Sequence, residues 1–232
     1  MPRRITLLAT VALLVTGTLF ASAPDLDTEE QKTLYAVGLV LSQRLSNFGL
    51  SADEAAVVQA GFYDGIVGGE SKIPLETYGP KIEDFLKSRL AAAVELGKTR
   101  GQKFRTKMAA EPGAVRTDSG LVYLEQKAGT GDLPSDSASV TVHYHGTLAD
   151  GKVFDSSREN GEPATFALNG VVPCFSEGIR KMRVGGTSKL VCPPELAYGD
   201  QGMPPMIPPG STLVFEVDLL EVNEPSAEPA TP

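Results

Sequence analysis

The chain has 232 residues, 41% of them hydrophobic and 22% charged, with a net charge of −8. That size allows one or two domains with an ordinary packed core, and the acidic balance argues against a nucleic-acid binder, because phosphate contacts need clustered Lys and Arg. Only two cysteines occur, which excludes a disulfide scaffold and a cysteine-based zinc site, and there is no tryptophan.

Residues 1–23 read as an export signal. Arg3 and Arg4 make a basic start, Ile5 to Phe20 is apolar apart from Thr and Gly, and Ala21-Ser22-Ala23 has the small-x-small form of a cleavage site. The apolar run is short for a span of about 20 residues, which favours removal over a retained membrane anchor. A cut after Ala23 would place Pro24 beside the scissile bond, so a cut after Ala21 is a second option. No cysteine lies near this point to carry a lipid.

From Asp27 to about Met108 the pattern is helical. Thr28 and Gln31 have capping-box spacing, and Leu34, Val37, Leu41, Leu45 and Phe48 recur at three- and four-residue steps. Ser46-Asn47-Phe48-Gly49 ends that helix. Ser51 and Glu54 form a second capping box, followed by Val58, Phe62 and Ile66 on one face and a Gly68-Gly69 stop. Pro74 opens a third helix with a near-heptad seam of Ile82, Phe85, Arg89, Ala92 and Leu96. Beyond Gly97 the apolar positions thin to Phe104 and Met108 in a Lys/Arg-rich background, and Glu111-Pro112-Gly113 ends the segment.

Three helices with narrow apolar stripes make a poor core for one small domain. The reading preferred here is that two chains share this region as a homodimer; the alternative is a monomeric bundle folded against the second domain. A third helix of roughly 30 residues would be about 45 Å long. Its far half is expected to stand in solvent as a stiff spacer.

Residues 114–120 read as a link, and Gly120 to Leu124 as a strand. Gly129 to Ser139 is a loop rich in Gly, Asp, Ser and Pro. Val140 to Asp155 reads VTVHYHGTLADGKVFD: Val140, Val142 and Tyr144 alternate with Thr141, His143 and His145, and Asp150-Gly151 is a turn dipeptide. This hairpin brings a phenol, an aromatic ring and a carboxylate together. Phe166-Ala167-Leu168 is a short strand. Phe175, Ile179 and Met182 mark one short helix, and Lys189 to Cys192 a strand. Leu213, Phe215, Val217 and Leu219 alternate with polar residues on the last strand. The whole is α+β: a C-terminal antiparallel sheet wrapped on one short helix, preceded by an all-α segment. The tail after Asn223 has a disordered composition.

Four ordered blocks, VHYHGTLADGKVFDSS, VVPCF, LAYGDQG and IPPGSTLVFEVDLLEV, resemble the FKBP-type peptidyl-prolyl cis-trans isomerases across about half of the chain. The helical segment followed by PGAVRTDSGLVY resembles the N-terminal dimerisation region of the macrophage infectivity potentiator type. Together, the residue patterns and the resemblance divide the chain into four parts: a signal peptide over 1–23, a helical dimerisation domain over 24–110, an isomerase domain over 111–223 and a disordered tail over 224–232. The resemblance implies that Tyr144, Phe154, Asp155, Tyr198 and Phe215 do the catalysis and that Val171, Val172, Phe175 and Ile207 hold substrate. Tyr198 would donate to a substrate carbonyl, and Asp155 would orient hydrogen bonds at the rim. Asp155 taken alone could equally be a turn or cap residue, and each aromatic taken alone could be plain core. Met203 and Met206, on a loop stiffened by Pro204, Pro205, Pro208 and Pro209, suit contact with varied chains.

The chemistry needs no cofactor, metal or nucleophile. An X–Pro bond isomerises over a barrier of about 18–20 kcal/mol set by amide resonance. A twisted amide is less dipolar than a planar one, so a dry apolar pocket disfavours the planar ground state more. Two positions depart from the family: Phe175 stands where the pocket floor is usually Trp, and Ala164 where an aromatic wall is frequent. Both bear on affinity for macrolide inhibitors more than on turnover.

An exported chain meets an oxidising space, where Cys174 and Cys192 could bridge; two buried free thiols are the alternative. His143 and His145 share a strand face without an evident third ligand, and read as a solvent-facing pair. No supported Ser-His-Asp set or phosphate loop is present.

The functional expectation is an exported isomerase, periplasmic or outer-membrane associated, acting on proline-containing unfolded proteins and with chaperone activity. The rival is a non-catalytic chaperone or binding module on the same scaffold; a third reading is a surface adhesin.

Overall fold

The structure, a computed structural model, describes residues 25–224. The segment expected to be an export signal and the residues of the tail beyond Glu224 lie outside them. The described residues divide into two compact units, with the division between Val40 and Leu41.

The first helix, α1 (Glu29–Ser42), begins at the expected capping box. Gln31 donates its backbone N–H to Thr28 Oγ1 at 3.1 Å, and its side chain accepts from the Thr28 backbone at 2.9 Å. The α-helix does not run to Phe48: residues 43–48 tighten into a 3-10 helix that ends at Gly49. Helix α2 (Ala52–Ile66) starts at the Ser51–Glu54 capping box. Neither α1 nor α2 has a buried residue, and Leu34 at 65% and Phe62 at 48% are among their exposed apolar side chains.

Helix α3 (Leu75–Ala109) has 35 residues, about 52 Å at 1.5 Å per residue. Its first half is amphipathic and exposed at Ile82 and Phe85. Arg89 joins this half to α2 by pairing with Glu54 and lying over the Phe85 ring at 5.0 Å. Its second half overturns the expectation of a free spacer. Val94 and Gly101 are buried, and Phe104, Met108 and Ala109 cover Val122, Val191 and Val214 on the outer face of the sheet. The approach is close because two glycines line the contact. A Cβ on Gly97 would lie 2.5 Å from the Pro209 carbonyl oxygen, and one on Gly101 would lie 2.1 Å from Thr212 Oγ1. Arg105 Nη1 donates to Thr212 Oγ1, and Lys98 pairs with Asp200 at 2.7 Å. None of the described helices is both long and apolar enough to cross a membrane.

The expected link also contains a strand. β1 (Ala114–Arg116) pairs antiparallel with β2 (Val122–Lys127). With β3 (Ser139–Leu148), β4 (Val153–Ser156), β5 (Ala164–Ala167), β6 (Thr187–Cys192) and β7 (Leu213–Asn223) they form a sheet of order β1-β2-β6-β7-β3-β4. β5 pairs with β3 as well, so β4 and β5 share one edge of the long central strand. Short helices follow β4 (α4, Ser157–Asn160) and precede β6 (α5, Pro173–Ile179).

β3 alternates strictly between half-buried and buried residues, as a strand with one face on a core must. The inner face stacks Val142 opposite Leu219 and Tyr144 opposite Val217, and α5 closes it with Phe175 and Ile179. The outer face is polar where α3 leaves it. There Arg158 pairs with Asp218 at 2.8 Å, Lys189 pairs with Glu216 at 3.0 Å, and Thr187 donates to Asp218. His143 and His145 sit on this face half-buried rather than free in solvent, against Ser157 Oγ at 3.2 Å and Ser156 Oγ at 3.0 Å.

Candidate functional site

Strand β3 ends in a tight turn, where Gly151 donates to the Leu148 carbonyl at 2.9 Å and the Asp150 side chain accepts from the Lys152 backbone. This returns the chain so that Gly146 lies opposite Asp155. Gly146 has to be small: a Cβ there would meet the Phe154 ring at 2.7 Å. The ring therefore packs close against β3 at Gly146 and reaches Phe215 on β7, at 5.5 Å between centroids.

The rings form one edge-to-face network. Phe175, from the start of α5, stands 5.0 Å from Phe215, 6.0 Å from Tyr144 and 5.9 Å from Phe166. Tyr144 meets Phe166 at 5.6 Å. Tilted pairs of this kind contribute about 0.5–1.5 kcal/mol each beyond simple burial. Tyr144, Phe154, Phe175 and Phe215 keep 9%, 6%, 4% and 6% of their surface, whereas Val140, Val142 and Ile179 beneath them are sealed. The rings are thus the top layer of the core. Val171, Val172 and Tyr198 pack against this layer, and Ile207 is part of it.

Two polar tips differ in their freedom. Tyr144 donates its hydroxyl to Asp155 Oδ2 at 2.5 Å. Burial, and then the Asp155 carboxylate, push the Tyr144 phenol well above its usual pKa, so it stays protonated. The Tyr198 hydroxyl has no hydrogen-bond partner among the described residues, and no buried side-chain atom among them is left unpaired. That hydroxyl is therefore open to solvent or to a ligand.

Cys174 and Cys192 are joined by a disulfide, with Cα atoms 5.7 Å apart. It ties α5 to β6 at the residue next to Phe175. The structure thus gathers Tyr144, Phe154, Asp155, Val171, Val172, Phe175, Tyr198, Ile207 and Phe215 in one place. Met203 and Met206 do not join the cluster. They lie on the adjoining loop, 37% and 43% exposed. Phe166 is a ring that the sequence reading left as a strand residue. It lies on β5 opposite Val140, and only the pairing of β5 with β3 brings its ring against Tyr144 and Phe175.

A family model described as FKBP-type peptidyl-prolyl cis-trans isomerase matches residues 131–220, and one for the domain amino terminal to that isomerase matches residues 30–124. The FKBP-type peptidyl-prolyl cis-trans isomerase FkpA of Escherichia coli (strain K12) is 38% identical over 216 residues, covering 88% of this chain and 80% of that protein. This chain belongs to the FKBP-type peptidyl-prolyl cis-trans isomerase family. Another FKBP relative, the outer membrane protein MIP of Legionella longbeachae, is 34% identical over 87% of this chain and 89% of its own length. The crystal structure of FkpA from Escherichia coli superposes with a TM-score of 0.64 at 37% identity, covering 85% of this chain and 98% of that one. The FKBP match spans both the helices and the sheet.

Proposed function

We propose that this peptidyl-prolyl cis-trans isomerase turns over X–Pro bonds in the aromatic hollow, on proline-containing chains that fold after export. The observation that carries the reading is a wall of edge-to-face rings with a single unengaged phenol beside it. Phe154, Phe215 and the Tyr144 ring wall the hollow, while Val171, Val172, Phe175 and Ile207 receive the proline ring. Asp155 occupies the Tyr144 hydroxyl and fixes that ring's orientation. Tyr198 is then the phenol free to donate to a substrate carbonyl. The surroundings are apolar, so the flat, more dipolar amide is disfavoured relative to the twisted one. Met203 and Met206 touch the chain outside the hollow.

Residues 24–110 act as the pairing segment of a homodimer and 111–223 as the isomerase unit; the exposed apolar faces of α1 and α2 support the pairing. Export to the periplasm or the outer membrane fits the basic-apolar start of the sequence. A disulfide fits an oxidising compartment. Two hollows in one dimer would hold an unfolded client at two points, which supplies chaperone activity through effective concentration.

A protease-coupled assay on a short proline peptide tests the enzyme. The pure protein accelerates isomerisation, and Tyr198→Phe lowers kcat/KM about fivefold to tenfold, the worth of one hydrogen bond. No acceleration by the unaltered protein overturns the reading. Sedimentation equilibrium tests the dimer: Leu34→Glu with Val37→Glu yields monomers that keep activity on the short peptide.

A further inference from the structure

Helix α3 carries a second seam beside the one that docks on the sheet. Gly97, Gly101, Phe104 and Met108 make the docking seam. Leu96, Arg100, Lys103 and Lys107 follow the same three- and four-residue steps one position back. This second seam borders a groove of about 560 Å³. Leu148 and Ala149, from the end of β3, and Pro208 and Pro209, from the loop after Ile207, complete its apolar lining.

The groove is basic in an acidic protein. Residues 98–107 hold five basic and no acidic side chains, although the chain's net charge is −8. Lys98 is engaged by Asp200 and Arg105 is turned onto Thr212. Arg100, Lys103 and Lys107 remain on the groove with no carboxylate partner among the described residues. The groove's one acidic side chain, Asp150, accepts from the Lys152 backbone. The groove also adjoins the aromatic layer. Ile207 belongs to the aromatic layer and Pro208 lines the groove, so one peptide unit, about 3.8 Å between Cα atoms, separates the two. Leu148 lines the groove and is part of the core cluster that contains the rings.

We propose that this groove is a second subsite for the substrate chain, receiving an extended segment of mixed acidic and apolar residues that flanks the proline held in the hollow. The inference rests on the isomerase reading of the hollow. An acidic client is repelled by most of this protein's surface. Within a screening length of about 8–10 Å the three unpaired cations reverse that locally, next to the site of turnover. The apolar floor receives the segment's side chains and the cations set its charge preference. Contact at two points raises the effective concentration of the proline at the hollow.

The test uses the full chain and Arg100→Glu/Lys103→Glu/Lys107→Glu, all exposed positions outside the hollow. Far-UV circular dichroism establishes that the variant keeps its fold. Three kinds of peptide share one X–Pro core: a short blocked peptide, peptides extended on either side by an acidic-apolar segment, and the same extensions with Lys replacing each acidic residue. The unaltered protein shows a KM for one acidic extension about tenfold below that of its lysine counterpart at low salt. The advantage shrinks as salt rises and is lost in the variant, while the short peptide is turned over alike by both proteins. Equal KM values for the acidic and lysine extensions overturn the proposal. So does a variant that slows the short peptide as much as the long ones, because the seam would then only support the hollow. Loss of binding to phosphatidylglycerol vesicles, or of self-association, with peptide preference intact assigns the groove to another occupant and equally overturns it. If the unaltered protein accelerates no peptide, the isomerase reading fails separately, and fluorescence anisotropy of the labelled acidic peptide still decides the groove.

Discussion

Replacing Gly97 and Gly101 together by Ala separates a free helix from a docked one by the sign of the stability change. In a solvated helix each Gly→Ala change stabilises by about 0.8–1 kcal/mol, so the pair would gain about 2 kcal/mol. Here each new methyl group meets a neighbour. At Gly97 it would lie 2.5 Å from the Pro209 carbonyl and 3.0 Å from that of Gly210, both backbone atoms with no rotamer to escape into. At Gly101 it would lie 2.1 Å from Thr212 Oγ1 and 3.0 Å from Thr212 Cβ, and Thr212 is buried and already bonded to Arg105. Ordinary contact starts near 3.4 Å, so helix and loop must part by about 1 Å. Such overpacking costs about 1–3 kcal/mol per site. Retreat also loosens Phe104 and Met108 over Val122, Val191 and Val214. The net expectation is a loss of about 2 kcal/mol, or about 1 M in urea midpoint for a slope near 2 kcal/mol per M. Urea titration followed by the near-ultraviolet tyrosine signal measures it. A midpoint that rises would refute the docked helix.

Three further outcomes follow from the site. Phe175→Ala removes the ring shared by Tyr144, Phe166 and Phe215 and costs about 3–5 kcal/mol, with a matching fall in turnover; Phe175→Leu costs less in the same denaturation assay. The Tyr144 phenol, held above its usual pKa by burial first and by Asp155 second, contributes stability fully below the unfolded tyrosine value of about 10. That contribution is lost as pH rises beyond it. An ultraviolet phenolate titration should show Tyr144 ionising above the ordinary tyrosine range, and Asp155→Asn should bring it only part of the way back. Reducing the Cys174–Cys192 disulfide, which closes a loop of 18 residues, lowers stability by about 3 kcal/mol, seen as a drop in urea midpoint with reductant present. An unchanged midpoint would show that the bridge does not hold α5 to β6.

Local chemistry carried much of this protein openly in its sequence. The capping boxes at Thr28 and Ser51, the two-residue alternation of Val140 to Tyr144 and the Asp150-Gly151 turn are short-range devices, so neighbouring residues suffice to read them. The ordered blocks named the family because they carry the pocket residues on separate strands and loops. What needed the tertiary structure was the behaviour of residues whose partners are distant in the chain. Phe166 reads as a plain strand residue until β5 pairs with β3 and turns its ring onto Tyr144 and Phe175. Ala114 to Arg116 reads as a link because a three-residue edge strand has too few positions to show a period. The polar half of α3 reads as a spacer because its apolar positions thin to Phe104 and Met108 in a Lys/Arg-rich background. At a close helix contact the missing Cβ of Gly97 and Gly101 is the condition for docking, and only the position of Pro209 and Thr212 reveals it.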